Sequence, residues 1–557
     1  MHIFPSMAEV KAAAHKAQGR YAVMPVMVPL LSDICTPIEA LRRLKEHSAH
    51  CFLFESVVTS EDFGRYSFLG FNPSLDLHCR EGQLTCEGEL AAQVAAEEKS
   101  DPNAVVRQVL AQFKSPSRSE LESLLCDAGE LTRTVLPLLP PFTGGLVGYF
   151  AYDYLGYSEE RVRQAAAAVA DFDPHQFKDF DLMLFTEVIA FDHLHQQLIL
   201  IANVPLCADP AALELGYQGA ERKLTQLCTI LNTPARRAPT PGQLLGPLTL
   251  RLSAEQYCAM VERAQHYIHE GDIFQVVLSN CLSAPFAGSL LDTYRLLRTL
   301  NPSPYMFYLG GTDIEVAGAS PETLVSLKNG VLHTYPLAGT RPRGRTKDED
   351  RRLEQELLAD DKERSEHNML VDLGRNDLGK VAALGSVKLE RYLEVLRFSH
   401  VMHLGSTVTA QLDSSCDALA ALQAILPAGT LSGAPKIRAA EIITELEGKK
   451  RGLYGGAVGY IDLAGNMDMG IAIRLCFKQD GQVFIQSGAG IVADSVPHKE
   501  YQECLNKAKA VVTALTEACA LDPHSSLLKQ SQAAAQSQAA AQSQADQQSQ
   551  GAAPSLA

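Results

Sequence analysis

Apolar and polar positions follow patterns along the chain that predict both helices and strands. Ser253 and Gln256 form a capping box ahead of an apolar stripe at helical spacing, and Gly271 supplies the stop of that helix. Two further helices are expected at about 348–373 and 498–516. Strand-like runs rich in glycine, such as GGAVGYIDL and VFIQSGAGIV, lie between these two helices. This mixture favours an α+β fold with helices packed outside the sheets.

Turn and linker patterns divide the chain into segments. The runs DLMLFTEVIAF and QQLILIANV flank residues 192–195 and predict a β-hairpin over one core face. A proline-rich polar stretch predicts a linker, and the QSQAAA repeats near the C-terminus predict a disordered tail because alanine alone buries too little surface. The expected segments are an N-terminal extension (1–27), an N-terminal domain (28–231), a linker (232–247), a C-terminal domain (248–522) and the low-complexity tail (523–557).

Composition and charge narrow the class of protein. The 557 residues are 46% hydrophobic and 20% charged, as in ordinary globular enzymes. A net charge of −16 argues against a nucleic-acid partner, and it requires a site for an anionic substrate to supply local cations or a metal. Thirteen cysteines without a CxxC pair predict reduced thiols. With no signal-like start and no membrane-length apolar run, we expect a cytoplasmic protein without membrane contact.

Two loops in the C-terminal half are candidate binding elements. In LAGTRPRGR, Gly339 allows the backbone to approach a ligand, Thr340 offers a hydroxyl, and the arginines offer charge. A structural turn explains this loop equally well. In GTLSGAPK, which contains Thr430, small residues, hydroxyls and a lysine indicate an anion-binding turn at a helix start. The order of residues is not that of a Walker loop.

Two pairs of glutamates share helix faces. Glu363 and Glu366 stand at i, i+3 in one predicted helix, and Glu500 and Glu503 do so in another. If the two helices meet, they can aim several oxygens at one Mg²⁺, which needs one or two carboxylates besides water and substrate oxygens. A solvated helix face is the alternative explanation of the same spacing.

A further group of residues can hold a carboxylate. Arg474 and Lys507 offer charge, residues 488–490 (Gly-Ala-Gly) offer backbone N–H groups, and Tyr454 offers a hydroxyl. Taken one at a time, such residues are more often structural. The same holds for His403, which read singly is more often a satisfied core histidine than a catalyst.

Seven strings taken together resemble the chorismate-utilising enzymes and, within them, the anthranilate synthase component I family. The resemblance runs from about residue 28 to residue 519. It implies an α+β fold, a large two-sheet β-sandwich with helices packed outside and the active site in a cleft. The strings are IFQVV (273–277), NPSPYMF (301–307), GASPE (318–322), AGTRPRG (338–344), SEHNMLVDLGRND (365–377), GTLSGAPK (429–436) and GAGIVADSVP (488–497).

The resemblance assigns roles to the candidate residues. It implies that Glu366 and Glu503 hold Mg²⁺, with Glu363 and Glu500 close to the ion. The residues that it implies for chorismate binding are Gly339, Thr340, Tyr454, Arg474, Gly488, Ala489, Gly490 and Lys507. The residues that it implies for catalysis are Glu322 (acid for the departing 4-hydroxyl), His403 (pyruvate elimination), Thr430 and Gln275.

Two positions separate the possible products. Para-aminobenzoate-forming relatives carry a lysine where this chain has Ala338, and an alanine cannot attack the ring. Isochorismate-forming relatives carry a lysine base where this chain has Gln275, and a neutral amide cannot activate water. Both favour ammonia as the nucleophile and anthranilate as the product, in the first committed step of tryptophan biosynthesis. Three alternatives remain. His403 argues against an aminodeoxyisochorismate synthase, and Ala338 argues against a para-aminobenzoate-type aminodeoxychorismate synthase. The retained site residues argue against a non-catalytic tryptophan-binding homologue.

The resemblance also implies partners. The sequence holds no cysteine in a GxCxGxQ-like setting, so we expect a separate glutamine amidotransferase subunit (component II) in a hetero-oligomer. FLFES (52–56) resembles a segment that, with NPSPYM, lines an allosteric tryptophan pocket. The expected contacts of tryptophan as feedback inhibitor are Ser56, Pro304, Tyr305 and Met306. A buried strand is the simpler explanation of the apolar part of FLFES.

Overall fold

A computed structural model describes residues 2–56, 64–94, 101–236, 240–397 and 401–520, so the predicted tail lies outside the described residues. Among these residues, no helix combines the length and the apolar character needed to cross a membrane. The α-helices within them are α1 (Met7–Ala17), α2 (Pro37–Lys45), α3 (Pro102–Gln112), α4 (Arg118–Leu124), α5 (Glu130–Val135), α6 (Glu160–Ala167), α7 (Pro210–Asn232), α8 (Ala254–His269), α9 (Leu291–Leu300), α10 (Lys347–Ala359), α11 (Asp361–Gly379), α12 (Ala418–Ile425), α13 (Lys436–Glu447) and α14 (Pro497–Ala520).

The strands of the described residues alternate with these helices along the chain. They are β1 (Val23–Leu31), β2 (Cys51–Glu55), β3 (Tyr66–Phe71), β4 (Leu75–Arg80), β5 (Gln83–Glu87), β6 (Gly145–Phe150), β7 (Phe180–Phe185), β8 (Glu187–Asp192), β9 (Gln197–Pro205), β10 (Gln243–Leu244), β11 (Thr249–Leu250), β12 (Gln275–Ala287), β13 (Tyr305–Gly310), β14 (Ile314–Ser320), β15 (Thr323–Lys328), β16 (Val331–Thr334), β17 (Leu337–Pro342), β18 (Lys388–Arg397), β19 (Val401–Gln411), β20 (Gly433–Ala434), β21 (Ala457–Asp462), β22 (Met467–Ile471), β23 (Leu475–Gln479) and β24 (Gln482–Ile491).

These strands form two antiparallel sheets. One sheet runs in the order β1-β9-β8-β3-β2-β13-β14-β23-β24-β12-β10, with β11 and β20 also paired to β12. The other runs β17-β19-β16-β15-β22-β21-β6-β7-β4-β5, with β18 also paired to β19. Strands from before and after the linker are neighbours in both sheets, where β2 pairs β13 and β6 pairs β21. The segments predicted on either side of residues 232–247 therefore share both sheets.

The two sheets pack face to face through aromatic side chains. Phe52 of β2 meets Phe185 of β7 with ring centroids 4.8 Å apart, and Phe68 of β3 meets Tyr460 of β21 at 6.4 Å. Edge-to-face rings of this kind bury large apolar surfaces in a shared core. With helices around them, the sheets confirm the predicted α+β sandwich.

Local sequence signals explain several helix boundaries. The predicted capping box is present, because Gln256 N–H donates to Ser253 and Ser253 N–H donates to Gln256. The prediction of a single helix at about 348–373 was wrong, because the chain forms two helices there, α10 and α11. The Asp360 side chain accepts from the backbone N–H groups of Lys362 and Glu363 and so starts a new helix. The helix predicted at about 498–516 is α14, which is longer at both ends.

The observed hairpin and the region of the predicted linker differ in detail from what the sequence predicted. β8 and β9 form the hairpin, with Asp192 paired to Gln197, but the first half of DLMLFTEVIAF is β7 and lies in the other sheet. The chain crosses between the sheets at Thr186, which separates the two strands. β10 lies inside the predicted linker, and α1 lies inside the predicted N-terminal extension, with Val10 and Ala13 fully buried.

Candidate active site

A cleft of about 730 Å³ lies where α11 and α14 approach the strands β12 and β24. Residues from distant parts of the sequence meet in its wall. The predicted site residues that line it are Gln275, Glu322, Glu366, Thr430, Tyr454, Arg474, Gly488, Gly490, Glu500, Glu503 and Lys507. Further lining residues that the sequence did not single out are Phe274, Lys362, Ser365, Met369, Ile473, Gln486, Ser487 and Ser495.

Five predicted residues stand outside this wall: Gly339, Thr340, Glu363, His403 and Ala489. Ala489 is fully buried between the two lining glycines and its side chain packs into the core. Gly339 forms a bulge in β17 with a φ of +69°, a conformation that glycine adopts without strain. The neighbouring strand β19 carries His403, whose Nδ1 lies 3.0 Å from the Gly339 carbonyl and 3.0 Å from the Thr340 hydroxyl.

Glu322 carries the most perturbed carboxyl of the cleft. Desolvation at the cleft wall raises its pKa to about 7, while a hydrogen bond from Thr430 and the charges of Arg474 and Lys507 oppose this rise. The Thr430 hydroxyl donates to Glu322 Oε1 at 2.9 Å and fixes the carboxyl in place. A carboxyl that keeps its proton near neutral pH is suited to act as a general acid.

Positive charge lines the same cleft. Arg474 has a φ of +50°, a left-handed backbone that costs an arginine on the order of 1–3 kcal/mol and is typical of functional positions. Lys507 Nζ lies 2.8 Å from Glu503, one turn earlier on α14. A Cβ at position 488 would lie 2.6 Å from the Leu278 carbonyl oxygen and 3.0 Å from the Tyr454 hydroxyl, so this position of the wall has room only for glycine. Arginine, lysine and hydroxyl donors together suit a carboxylate ligand.

Carboxylates of α11 and α14 face one another across the cleft. Desolvation raises the pKa of Glu366, and the charges of Glu363 and Glu503 raise it further. Desolvation and the charge of Glu503 likewise raise the pKa of Glu500. Within the described ranges, no three His, Cys, Asp or Glu side chains are grouped closely enough to hold a metal by themselves. Mutually repelling carboxylates on two helices nevertheless fit Mg²⁺, which completes its ligands with water and substrate oxygens.

His403 is held as a neutral imidazole. Desolvation lowers its pKa, the hydrogen bond to Gly339 raises it, and the charge of Arg474 lowers it further. Because a carbonyl accepts hydrogen bonds and cannot donate them, the contact with Gly339 favours the tautomer with its proton on Nδ1. Nε2 then carries the lone pair, which suits a base.

The residues predicted for the regulatory pocket lie together at the end of β2. Glu55 pairs with Met306, so Ser56 and residues 304–306 are neighbours although far apart in sequence. The Ser56 hydroxyl is buried and has no hydrogen-bond partner among the described residues. Tyr305 donates to Asp468 of the opposite sheet at 2.8 Å and also contacts Thr323, next to Glu322, at 3.0 Å.

Comparisons with known proteins identify the family of this chain. A family model described as chorismate binding enzyme matches residues 59–513. Anthranilate synthase component 1 of Acinetobacter calcoaceticus is 42% identical over 89% of this chain and 95% of its own length. Its counterpart from Aquifex aeolicus is 41% identical over 92% of this chain and 98% of its own length.

Solved structures show the same fold. Anthranilate synthase component I from Streptococcus pneumoniae superposes with a TM-score of 0.65 at 35% identity, covering 86% of this chain and 98% of that one. The menaquinone-specific isochorismate synthase MenF from Escherichia coli superposes with a TM-score of 0.59 at 19% identity, covering 91% of this chain and all of that one, and it shares the fold alone. The chain belongs to the chorismate binding enzyme family and, within it, to the anthranilate synthase component 1 proteins.

Proposed function

We propose that the protein converts chorismate to anthranilate and pyruvate, with ammonia supplied by a separate glutamine amidotransferase subunit. The observation that carries this proposal is the carboxyl of Glu322. It keeps its proton near neutral pH in the same cleft as Arg474 and Lys507, so an acid and two cations face one substrate. Relatives at about 40% identity carry the matching name.

The cleft chemistry fits chorismate, which carries two carboxylates. Arg474 and Lys507 offset its charge within an otherwise acidic protein, and backbone N–H groups at 488–490 and the Tyr454 hydroxyl add hydrogen bonds. Glu366 and Glu503 would hold Mg²⁺, with Glu363 and Glu500 nearby. When bound, the ion would neutralise charge on a substrate carboxylate.

The side chains divide the reaction into two steps. Glu322 gives its proton to the 4-hydroxyl, which leaves as water while ammonia adds at ring C2. The new ammonium group at C2 then loses a proton to water. The neutral His403 takes the proton from C2, the C3–O bond breaks, and the ring becomes aromatic. The enolpyruvyl group leaves as the enolate of pyruvate, which takes up a proton at its methylene carbon. Ala338 cannot act as an amine nucleophile, and Gln275 cannot act as the base that activates water. Ammonia is therefore the nucleophile.

The test is a reconstitution with chorismate, magnesium chloride and ammonium chloride. We expect anthranilate, measured by fluorescence, and pyruvate in equal amounts, and we expect neither from Glu322→Gln. Aminodeoxyisochorismate without pyruvate, para-aminobenzoate, or unchanged chorismate would each overturn the proposal. With glutamine as the nitrogen source, turnover should require the added amidotransferase subunit. Tryptophan binding beside Ser56 would make this first committed step feedback-inhibited.

A further inference from the structure

A small rear cavity of about 50 Å³ borders Glu322 and is distinct from the chorismate cleft. Glu322, Leu370 and Thr430 line both the rear cavity and the cleft, so these three residues form the wall between them. The rest of the lining comes from α11, α12, β15, β16, β22 and the chain just before Thr430. Glu322 is therefore approached by two separate spaces.

The lining of the rear cavity suits water. A water molecule needs roughly 10–15 Å³ of space for its centre, so about three of them fit. Each forms roughly two to four hydrogen bonds, and the wall offers the side chains of Glu322, Thr334, Asp377 and Thr430 as partners. A cavity with this many polar groups holds water, whereas an apolar one of the same size stays dry.

Asp377 connects the lining of the rear cavity to the protein surface. Its buried side chain accepts from Lys436 Nζ at 2.6 Å and from Lys380 Nζ at 3.1 Å. Lys436 is buried, but 44% of the Lys380 side chain is exposed. Tyr335 and Gly374, which also line the cavity, are partly exposed as well. This side of the cavity is therefore the one through which solvent can exchange.

Each turnover of the proposed reaction leaves Glu322 without its proton. When the C4–O bond breaks, the carboxyl gives its proton to the departing hydroxyl, which leaves as water, and a carboxylate remains. At that moment the ring, bound by Arg474 and Lys507, covers Glu322 from the cleft. A carboxylate whose pKa is about 7 takes a proton readily near neutral pH, provided that water reaches it.

We propose that the rear cavity is the proton inlet of the active site, through which water returns a proton to Glu322 in every turnover. This inference rests on the proposed function, because Glu322 is the acid there. A cavity water gives one proton to the Glu322 carboxylate and takes one from the next water outward, and the outermost water takes one from hydronium in the solvent. One solvent proton thus replaces the one that left with the hydroxyl. The Thr430 hydroxyl, 2.9 Å from Glu322 Oε1, holds the carboxyl in the dividing wall during the transfer.

The experiment narrows the rear cavity from α11. Gly374 lines it, and a Cβ at this position would lie 3.1 Å from the methyl carbon of Thr334 on the opposite wall. Gly374→Ala should therefore narrow the cavity, and alanine is the better helix former. Gly379 lies in the same helix outside the lining, and a Cβ there would meet no part of the described chain beyond its own helix within 4 Å. Gly379→Ala is therefore the matched control.

Rapid quenching at pH 6.5 separates the first turnover from the later ones, with chorismate and ammonium chloride in excess. Glu322 holds its proton before chorismate binds, so we expect the first turnover of Gly374→Ala to match that of wild type. Later turnovers should be slowed roughly fivefold or more, because proton delivery then limits the rate. Anthranilate should appear as a burst of one molecule per site, and the solvent deuterium isotope effect on kcat should rise. The Gly379→Ala protein should behave as wild type does.

A merely structural effect gives a different result. If Gly374→Ala displaced Glu322, the first turnover would be slowed as much as the later ones, and this outcome would overturn the proposal. Unchanged steady-state turnover in the folded variant would overturn it too. Thr334→Ile narrows the cavity from β16, should give the same burst, and replaces Gly374→Ala in the assay if that protein does not fold. A wild type that forms no anthranilate would refute the proposed function, whereas an active wild type with unaffected variants would refute this inference alone.

Discussion

Replacing Glu322 by glutamine should abolish anthranilate formation and at the same time stabilise the protein at alkaline pH. Desolvation raises the pKa of Glu322 from 4.5 to about 7. Between these pH values the unfolded chain has lost the proton that the folded protein keeps, so stability falls as the pH rises through this window. A pKa difference of about 2.5 corresponds to about 3 kcal/mol, which is fully lost above pH 7.

The magnitude translates into a measurable melting shift. Unfolding entropy is about 2.1 cal/mol/K per residue, so roughly 500 ordered residues give about 1 kcal/mol/K and a shift of about 3 °C. The melting temperature of Glu322→Gln minus that of wild type, measured by calorimetry, should therefore be about 2–3 °C higher at pH 8.5 than at pH 5. Comparing the two pH values cancels packing effects of the substitution, and the amide oxygen of the introduced glutamine can still accept from Thr430.

Glu315 is a matched control with the opposite sign. Burial would raise its pKa, but Lys45 and Lys478 hold it at about 2. Its charge therefore contributes stability that is complete above pH 4.5 and is lost as the pH falls through 2. Glu315→Gln should melt several degrees lower than wild type at pH 8.5. A melting difference between Glu322→Gln and wild type that is equal at pH 5 and pH 8.5, beside a destabilised Glu315→Gln at pH 8.5, would refute the reasoning about Glu322.

The other predictions concern the metal ligands, the pyruvate-eliminating second step and the regulation by tryptophan. Glu366→Gln and Glu503→Gln should each lower turnover at least tenfold and weaken the Mg²⁺ dependence with the fold intact, and an unchanged Mg²⁺ titration would exclude these ligands. His403→Met should let the aminated intermediate accumulate in chromatograms, whereas equal loss of chorismate consumption and anthranilate would place His403 earlier. In the wild type, tryptophan should weaken the apparent affinity for chorismate by roughly five- to 150-fold, a coupling of about 1–3 kcal/mol. Ser56→Phe should abolish this inhibition, while turnover without tryptophan stays normal. Calorimetry should measure the affinity for tryptophan with and without chorismate. If tryptophan inhibits the wild type but chorismate leaves its affinity unchanged, the site is not allosteric.

Local patterns predicted the elements that carry the site. The i, i+3 spacing placed Glu500 and Glu503 on one face of α14, and both line the cleft. The capping box at Ser253 marked the start of α8. Such predictions succeed because helical geometry sets which side chains share a face within a few residues. The spacing left open whether α11 and α14 meet; in the structure, the charge of Glu503 on α14 raises the pKa of Glu366 on α11.

Strand pairing could not be predicted in this way. β7 and β8 are separated by Thr186 alone, yet they lie in different sheets. β6 pairs with β21 across most of the chain length. Alternation of apolar residues specifies which face of a strand is buried and leaves its neighbour open. Arg451 is buried against the rings of Tyr152 and Tyr454, which come from opposite halves of the sequence, so its position depends on such distant pairing.

The net charge of the chain acquires a structural meaning at the chorismate cleft. Chorismate is an anion, so the net negative potential of the chain opposes its approach. The cleft counters this locally, because Lys362, Arg474 and Lys507 lie in its wall beside four glutamates. One of these glutamates, Glu322, keeps its proton up to about pH 7 and so adds little negative charge below that pH. A few local cations, together with the Mg²⁺ that Glu366 and Glu503 would hold, therefore suffice for an anionic substrate in an acidic protein.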